Sequence, residues 1–136
     1  MAKWVWDRRL ETGIEYIDEQ HRELFNRIDK LELAMYSGKA ASELSYLVDY
    51  LESYVIEHFQ AEEKVMMDAE FPGFAKHVHM HNEFKVYFDE LLYSCRDRGP
   101  DSYLAIDADK KLRHWWEDHI LKMDMEFVPY VKKGNA

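Results

Sequence analysis

The sequence lacks a second cysteine, a dense cluster of basic residues and a long uninterrupted run of apolar residues. Because Cys95 is the only cysteine, an intramolecular disulfide is excluded, and a reducing cytoplasm is the compartment that we expect. Cys95 falls on the apolar stripe of its segment, which favours packing in a core over a reactive role.

The formal net charge is −9, and no group of Lys and Arg is dense enough to make a phosphate-binding face. Nucleic acid and anionic membrane are therefore poor partners. No apolar run approaches the roughly 18–20 residues that a membrane span needs, so we expect no membrane span. The N-terminal residues Met1-Ala2-Lys3-Trp4 also lack the apolar stretch of a signal peptide.

What is present is a helical pattern. Apolar residues make up 47% of the 136 residues, enough for a sizeable core, and they recur every three or four positions through most of the chain. Three breaks separate the stretches, at Ser37-Gly38-Lys39, Phe71-Pro72-Gly73 and Arg98-Gly99-Pro100-Asp101. Because short breaks between long helices favour antiparallel neighbours, the sequence predicts an all-α, up-down-up-down antiparallel four-helix bundle.

The N-terminal residues are expected to differ from the rest. We predict a single domain over residues 1–136, in which 1–17 form an extended arm and 18–132 form the bundle. Asp18 is a candidate cap for the first helix, because its carboxylate can accept the unpaired backbone donors of the first turn. Trp4 and Trp6 are expected to fold back onto the bundle, since two free indoles on a tail would be unusual.

Three of the predicted helices carry close pairs of possible metal ligands. The pairs are His58 with Glu62, His77 with His81, and His119 with Asp124. The first two have i, i+4 spacing, so both side chains project from one helix face. The third has i, i+5 spacing, about 140° apart on an ideal helix. Its side chains can converge only if the long axis of the site lies between them, or if the helix is locally distorted.

The predicted turns bring these groups to one depth, because residues equally far from a turn lie side by side in antiparallel helices. Four ligand pairs, His21 with His58, Glu62 with His77, His81 with His119 and His77 with Asp124, are each nearly equidistant from one of the three breaks, and the ligands lie on the apolar stripes. The candidate ligands are His21, His58, Glu62, His77, His81, His119 and Asp124. Burial of these groups without a metal would cost several kcal/mol per unpaired charge. His79 and His114 fall elsewhere and are interpreted as solvated surface residues.

Seven ligands are too many for one tetrahedral zinc but suit two six-coordinate ions that share bridging groups. Imidazole suits iron, copper, zinc and nickel, and two Fe(II) ions would have two of their four charges cancelled by Glu62 and Asp124. Ferritin-like oxidases use four carboxylates. A histidine-rich site should hold the reduced state better, which favours reversible oxygen chemistry without deciding between a carrier and an enzyme.

These residues resemble the hemerythrins, in particular the single-domain bacterial ones, over nearly the whole chain. The shared pattern is Trp6, Gly13-Ile14, Ile17-Asp18-Glu19-Gln20-His21, His58-x-x-x-Glu62, His77-x-x-x-His81 and His119-Ile120-x-x-x-Asp124. The resemblance implies two iron ions (Fe2+/Fe3+), one held by His77, His81 and His119 and the other by His21 and His58. It also implies that Glu62 and Asp124 bridge the irons beside an oxo or hydroxo group, and that the two-histidine iron keeps one position open for dioxygen.

The resemblance further places four residues around the open position, where they would exclude water. They are Phe59, Trp115, Trp116 and Ile120. Trp116 departs from the family, which usually has a leucine three residues before the fourth-helix histidine. Its indole either changes the pocket or merely repacks the core, and both interpretations stay open.

The implied function is reversible dioxygen binding at a non-heme di-iron centre, for oxygen storage, delivery or scavenging, and not catalysis. One alternative is oxygen or redox sensing through a partner protein. Another is a di-iron peroxidase or nitric oxide-reducing enzyme, which is less favoured because no extra acid, base or nucleophile is evident near the ligands.

Overall fold

A computed structural model describes residues 8–134, with side chains described over 8–131. Its main elements are four long helices, α1 (Glu15–Tyr36), α2 (Ala40–Asp68), α3 (Phe74–Asp97) and α4 (Ser102–His119). A 3-10 turn, Arg8–Leu10, precedes α1, and α4 continues through a π-helical segment, Ile120–Asp124, into α5 (Met125–Gly134). No strand occurs within 8–134. The all-α four-helix bundle predicted from the sequence is therefore confirmed.

The helices end at the three predicted breaks. Gly38 has φ +74° and Gly99 has φ +83°, a backbone conformation that costs glycine little and other residues more. After α1, the Lys39 N–H donates to the carbonyl of Ala34 at 2.9 Å, which satisfies one of the free carbonyls of the last turn. At the start of α4, the Asp101 carboxylate accepts from the Leu104 N–H at 2.7 Å and caps the helix. Three short turns thus fix how the long helices align.

The apolar stripes of the four helices meet in one core. Its central members include Leu24 and Ile28 of α1, Leu51 of α2 and Leu112 of α4, all fully buried. Burying each such side chain contributes roughly 1.5–3 kcal/mol. The lone Cys95 is buried in the same core, in agreement with the packing role expected for it.

A polar contact and a ring contact join α4 to its neighbours. Arg113 of α4 reaches α1, where its guanidinium lies 3.1 Å from Asp29 and 3.0 Å from Glu32. The rings of Phe84 in α3 and Trp115 in α4 have centroids 4.4 Å apart.

None of the described helices is both long enough and apolar enough to cross a membrane.

The start of α1 differs from the prediction. The helix begins at Glu15, three residues before the expected position, and Ile14 precedes it without a side-chain cap. Asp18 lies inside the first turns of α1, so its assignment as the cap was wrong. Its carboxylate instead accepts from the Thr12 N–H and hydroxyl, both at 2.8 Å, and from the Gly13 N–H at 3.0 Å. Helical side chains lean toward the N-terminus, so Asp18 reaches the segment before the helix.

Trp4 and Trp6, which were expected to fold back onto the bundle, lie outside the described residues.

We expect Asp18→Ala to lower the free energy of unfolding by about 2–4 kcal/mol, because three donors to a buried charged acceptor lose their partner together. Denaturant unfolding followed by circular dichroism measures this. Asp89 is exposed on α3, and Asp89→Ala is the control, with an expected change within about 0.5 kcal/mol. Equal effects of the two substitutions would contradict the anchoring role of Asp18.

Candidate metal centre

The seven candidate ligands converge between the helices, toward the end of the bundle where α1 and α3 begin, as two overlapping groups of donor atoms. One group is Glu62, His77, His81, His119 and Asp124, and the other is His21, His58, Glu62 and Asp124. Within each group the donor atoms lie within 4.8 Å of one another, and every one of these residues is at most 3% exposed. The two groups therefore contain five and four donors and share both carboxylates.

Each carboxylate turns one oxygen toward each group. Oε1 of Glu62 lies 3.1 Å from Nε2 of His81, while Oε2 lies 3.4 Å from Nε2 of His21. Oδ1 of Asp124 lies 3.0 Å from Nε2 of His77, while Oδ2 lies 3.2 Å from Nε2 of His21. A carboxylate with one oxygen on each side is arranged to bridge two cations.

The π-helical segment explains how the His119–Asp124 pair converges. An ideal α-helix would separate positions i and i+5 by about 140°. Here Ile120–Asp124 is π-helical, with hydrogen bonds from i to i+5, which inserts an extra residue into the turn. Nε2 of His119 lies 3.2 Å from Oδ1 of Asp124 as a result. Of the two arrangements that the spacing allowed, the structure adopts the local distortion.

Two ligand histidines donate a hydrogen bond from Nδ1, the ring nitrogen that faces away from the cluster. The sequence analysis did not name either acceptor. Nδ1 of His58 donates to Oε1 of Gln20 at 2.7 Å, and Nδ1 of His81 donates to Oε2 of Glu63 at 2.9 Å. These assignments follow from Nε2 facing the cluster, which leaves the proton on Nδ1. Such partners fix the ring orientation and raise the basicity of the ligating nitrogen. Gln20 and His58 are equally far from the turn after α1, and Glu63 and His81 are equally far from the turn after α2. The spacing that brings the ligands together therefore also indicates these two acceptors.

The donor set fits metal ions better than it fits a hydrogen-bonded network. Oε2 of Glu62 and both carboxylate oxygens of Asp124 are buried and have no hydrogen-bond donor within the described residues. Nδ1 of His21, His77 and His119 is also buried without a hydrogen-bond partner. Buried polar atoms are normally paired, and those left unpaired require an explanation. Imidazole nitrogens and carboxylate oxygens are suitable ligands for first-row transition metals.

The protonation of the cluster is set by burial and by its own neighbours. Burial favours neutral histidine and lowers the pKa of His58, but the nearby carboxylates of Asp124 and Glu62 raise the pKa of His21 and of His77 to about 9. Burial alone would raise the carboxyl pKa values, yet the surrounding histidines hold Asp124 at about 2 and Glu62 well below its usual range. Without metal, two protonated histidines therefore balance two carboxylates.

Aromatic rings cover the ligands. Phe59 stacks on His81 with centroids 3.8 Å apart, and Trp115 stacks on His119 at 4.4 Å. Trp116 is fully buried with its ring 5.4 Å from that of His58, and Ile120 is also fully buried. His79 and His114 are exposed, in agreement with the surface positions expected for them.

Fold and site together define a class of protein, a four-helix bundle whose core holds a cation-binding cluster of five histidines and two carboxylates. A family model described as the hemerythrin HHE cation binding domain matches residues 12–131. The chain belongs to the hemerythrin family.

Relatives match along nearly the whole chain. The bacteriohemerythrin of Stenotrophomonas maltophilia is 30% identical over 132 residues, which are 97% of this chain and 84% of the relative. That of Pseudomonas aeruginosa is 30% identical over all of this chain and 86% of its own. The myohemerythrin of Riftia pachyptila is 28% identical over 98% of this chain and 94% of its own.

Solved structures show the same fold. Crystal structures of hemerythrin with a leucine changed to tyrosine or to alanine each superpose with a TM-score of 0.77 at 24% identity. Each match covers 96% of this chain and 98% of the other.

We expect the metal-free protein to lose stability as the pH rises from 6.5 to about 9. A histidine whose pKa is higher in the folded state stabilises the fold fully below its unfolded pKa, and that contribution is lost as the pH rises through the folded value. For His21 and His77 the two values are 6.5 and about 9. Denaturant unfolding at a series of pH values measures the effect. A double variant with Glu62→Gln and Asp124→Asn should show a flatter profile, and a flat profile in the parent protein would contradict the assignment.

We expect Glu63→Ala to lower metal affinity by about 10–100-fold, because His81 loses the acceptor that orients its ring. Competition with a chelator measures the affinity. Glu57→Ala is a matched control, since Glu57 is an exposed glutamate on the same helix. Unchanged affinity in Glu63→Ala would show that the His81 ring is held by packing against Phe59 alone.

Proposed function

We propose that this protein binds dioxygen reversibly at a non-heme di-iron centre, for oxygen storage, delivery or scavenging, and that it is not an enzyme. The division of the donors supports this proposal, with five atoms in one group, four in the other and both carboxylates shared. With one oxo or hydroxo group shared between two six-coordinate ions, the first group would be complete and the second would keep one position open for dioxygen.

The ligands divide between the irons accordingly. His77, His81 and His119 would hold one iron, His21 and His58 would hold the other, and Glu62 and Asp124, which belong to both groups, would be shared between them. When bound, the ferrous ions supply the electrons that dioxygen accepts on binding.

The residues around the open position keep water and protons away. Phe59 and Trp116 are fully buried, and their rings lie 5.5 Å apart beside His58. A dry apolar pocket disfavours the separation of charge that would release a reduced oxygen species. The nearby Tyr54 phenol donates to the Gln20 carbonyl, and burial raises its pKa well above 10.0, so it keeps its proton. Tyr54 is therefore not a source of protons for a bound ligand, which favours reversible binding.

The direct experiment mixes the anaerobically reduced, iron-loaded protein with dioxygen. We expect a visible charge-transfer band that disappears on deoxygenation and returns on re-exposure. Absence of the band in a protein that contains two irons per chain would overturn the proposal. Turnover of peroxide or nitric oxide well above that of free iron would favour an enzyme, and an oxidation-dependent protein partner in a pull-down would favour a sensor.

We expect His77→Ala to lower the iron content below two per chain, because it removes one of three histidines from its group. Metal analysis of the purified protein measures this. His79→Ala is the control, because His79 lies two residues away on the same helix with its side chain 71% exposed. Full iron content in His77→Ala would contradict the ligand assignment, and a loss in both variants would indicate a general effect on the helix.

A further inference from the structure

Trp116 has a buried hydrogen-bond donor without an acceptor. Its side chain is fully buried, and its indole Nε1 has no hydrogen-bond partner among the residues that the structure describes. A buried N–H without a partner is destabilising, and tryptophan usually finds one when it is buried. The site therefore contains a donor that the protein leaves available.

The polar neighbours of Trp116 do not supply the missing acceptor. Its ring lies 5.4 Å from His58 and 6.3 Å from Tyr54. His58 uses Nδ1 as a donor to Gln20, and the Tyr54 hydroxyl donates to the carbonyl of the same residue. Nδ1 of His119 carries a proton when Nε2 faces a metal, so it cannot accept. Among the other rings in contact, those of Phe59 and Phe84 have no polar atom, and the indole N–H of Trp115 is itself a donor and cannot accept.

The two adjacent indoles contact different halves of the cluster. Trp115 stacks on His119, in the five-donor group, with an interplanar angle of 11°. Trp116 packs closer to His58, in the four-donor group, than to His119, whose centroid is 6.4 Å away. The unpaired donor thus belongs to the residue beside the group that lacks a sixth ligand.

We propose that Trp116 is a ligand-binding residue, whose indole N–H donates a hydrogen bond to a small anionic ligand at the open position beside His58. The inference rests on the proposed di-iron function and adds to it a selectivity for ligands that carry negative charge. A hydrogen bond to a charged acceptor is stronger than one to a neutral acceptor. An apolar side chain at this position would have no donor, so the indole lets this chain retain anions more tightly than a fully apolar pocket would.

The test uses azide, a small linear anion, with the iron-loaded, oxidised protein. Loss of one hydrogen bond to a charged ligand corresponds to roughly a 10–100-fold weaker affinity, which we expect for Trp116→Phe. Tyr87→Phe is the matched control, because the Tyr87 hydroxyl is also buried without a partner but lies outside the cluster, against Phe84. Azide affinity should be unchanged in Tyr87→Phe.

A second measurement distinguishes the effect of losing the hydrogen bond from the effect of the smaller phenylalanine side chain. In the parent protein, the infrared stretching band of bound azide should shift on transfer from H2O to D2O, and in Trp116→Phe it should not. An insensitive band in the parent protein, or equal affinities in the parent and Trp116→Phe, would overturn the proposal. Iron content is measured first, so a protein without two irons refutes the di-iron function itself, whereas a loaded protein that does not bind azide refutes only the inference.

Discussion

The structure depends on two carboxylates that are buried between the helices of a four-helix bundle and shared between two groups of histidines. Glu62 and Asp124 are both fully buried, and each turns one oxygen toward each group. Charges in such a place are tolerated only when opposite charges or metal ions compensate them. The inward direction of all five histidines, the π-helical segment and the stacked rings are arrangements that meet this requirement.

Two of the ligating histidines are supported by side chains of different charge. The outer nitrogens of His58 and His81 are bound by Gln20 and Glu63, which differ in charge. A carboxylate acceptor makes an imidazole a stronger donor than an amide acceptor does, so the two halves of the centre are electronically unequal before any ligand arrives. The rings of Phe59 and Trp116 pack against His81 and His58 and exclude water from these ligands. The asymmetry of five against four donors is thus accompanied by an asymmetry of the supporting residues.

Much of this arrangement could be predicted from the sequence, because three turns with clear glycine and proline signals fix the depth of every residue in the bundle. That depth brought His21, His58 and the other ligands together before any coordinates were considered. The start of α1 could not be predicted in the same way, because a carboxylate such as Asp18 satisfies backbone donors on either side of a helix start. The choice between a distorted and an ideal helix at His119–Asp124 also depended on packing.

Glu63 and Gln20 lie at the same depth as the ligands, but the sequence alone does not distinguish an acceptor for a ligating histidine from a solvent-exposed polar residue. The orphaned nitrogen of Trp116 could not have been found at all without coordinates, because it depends on which neighbours already have partners.

The aromatic rings that cover the ligands affect how a metal ion enters the cluster. No ligating residue is more than 3% exposed, so a metal ion with its full hydration shell needs a larger opening between the helices than dioxygen or azide does. Metal exchange must therefore wait for a local opening of the bundle, and its rate is a measure of how often the helices separate. The same packing that keeps water away from the cluster would slow both the entry and the release of a metal ion.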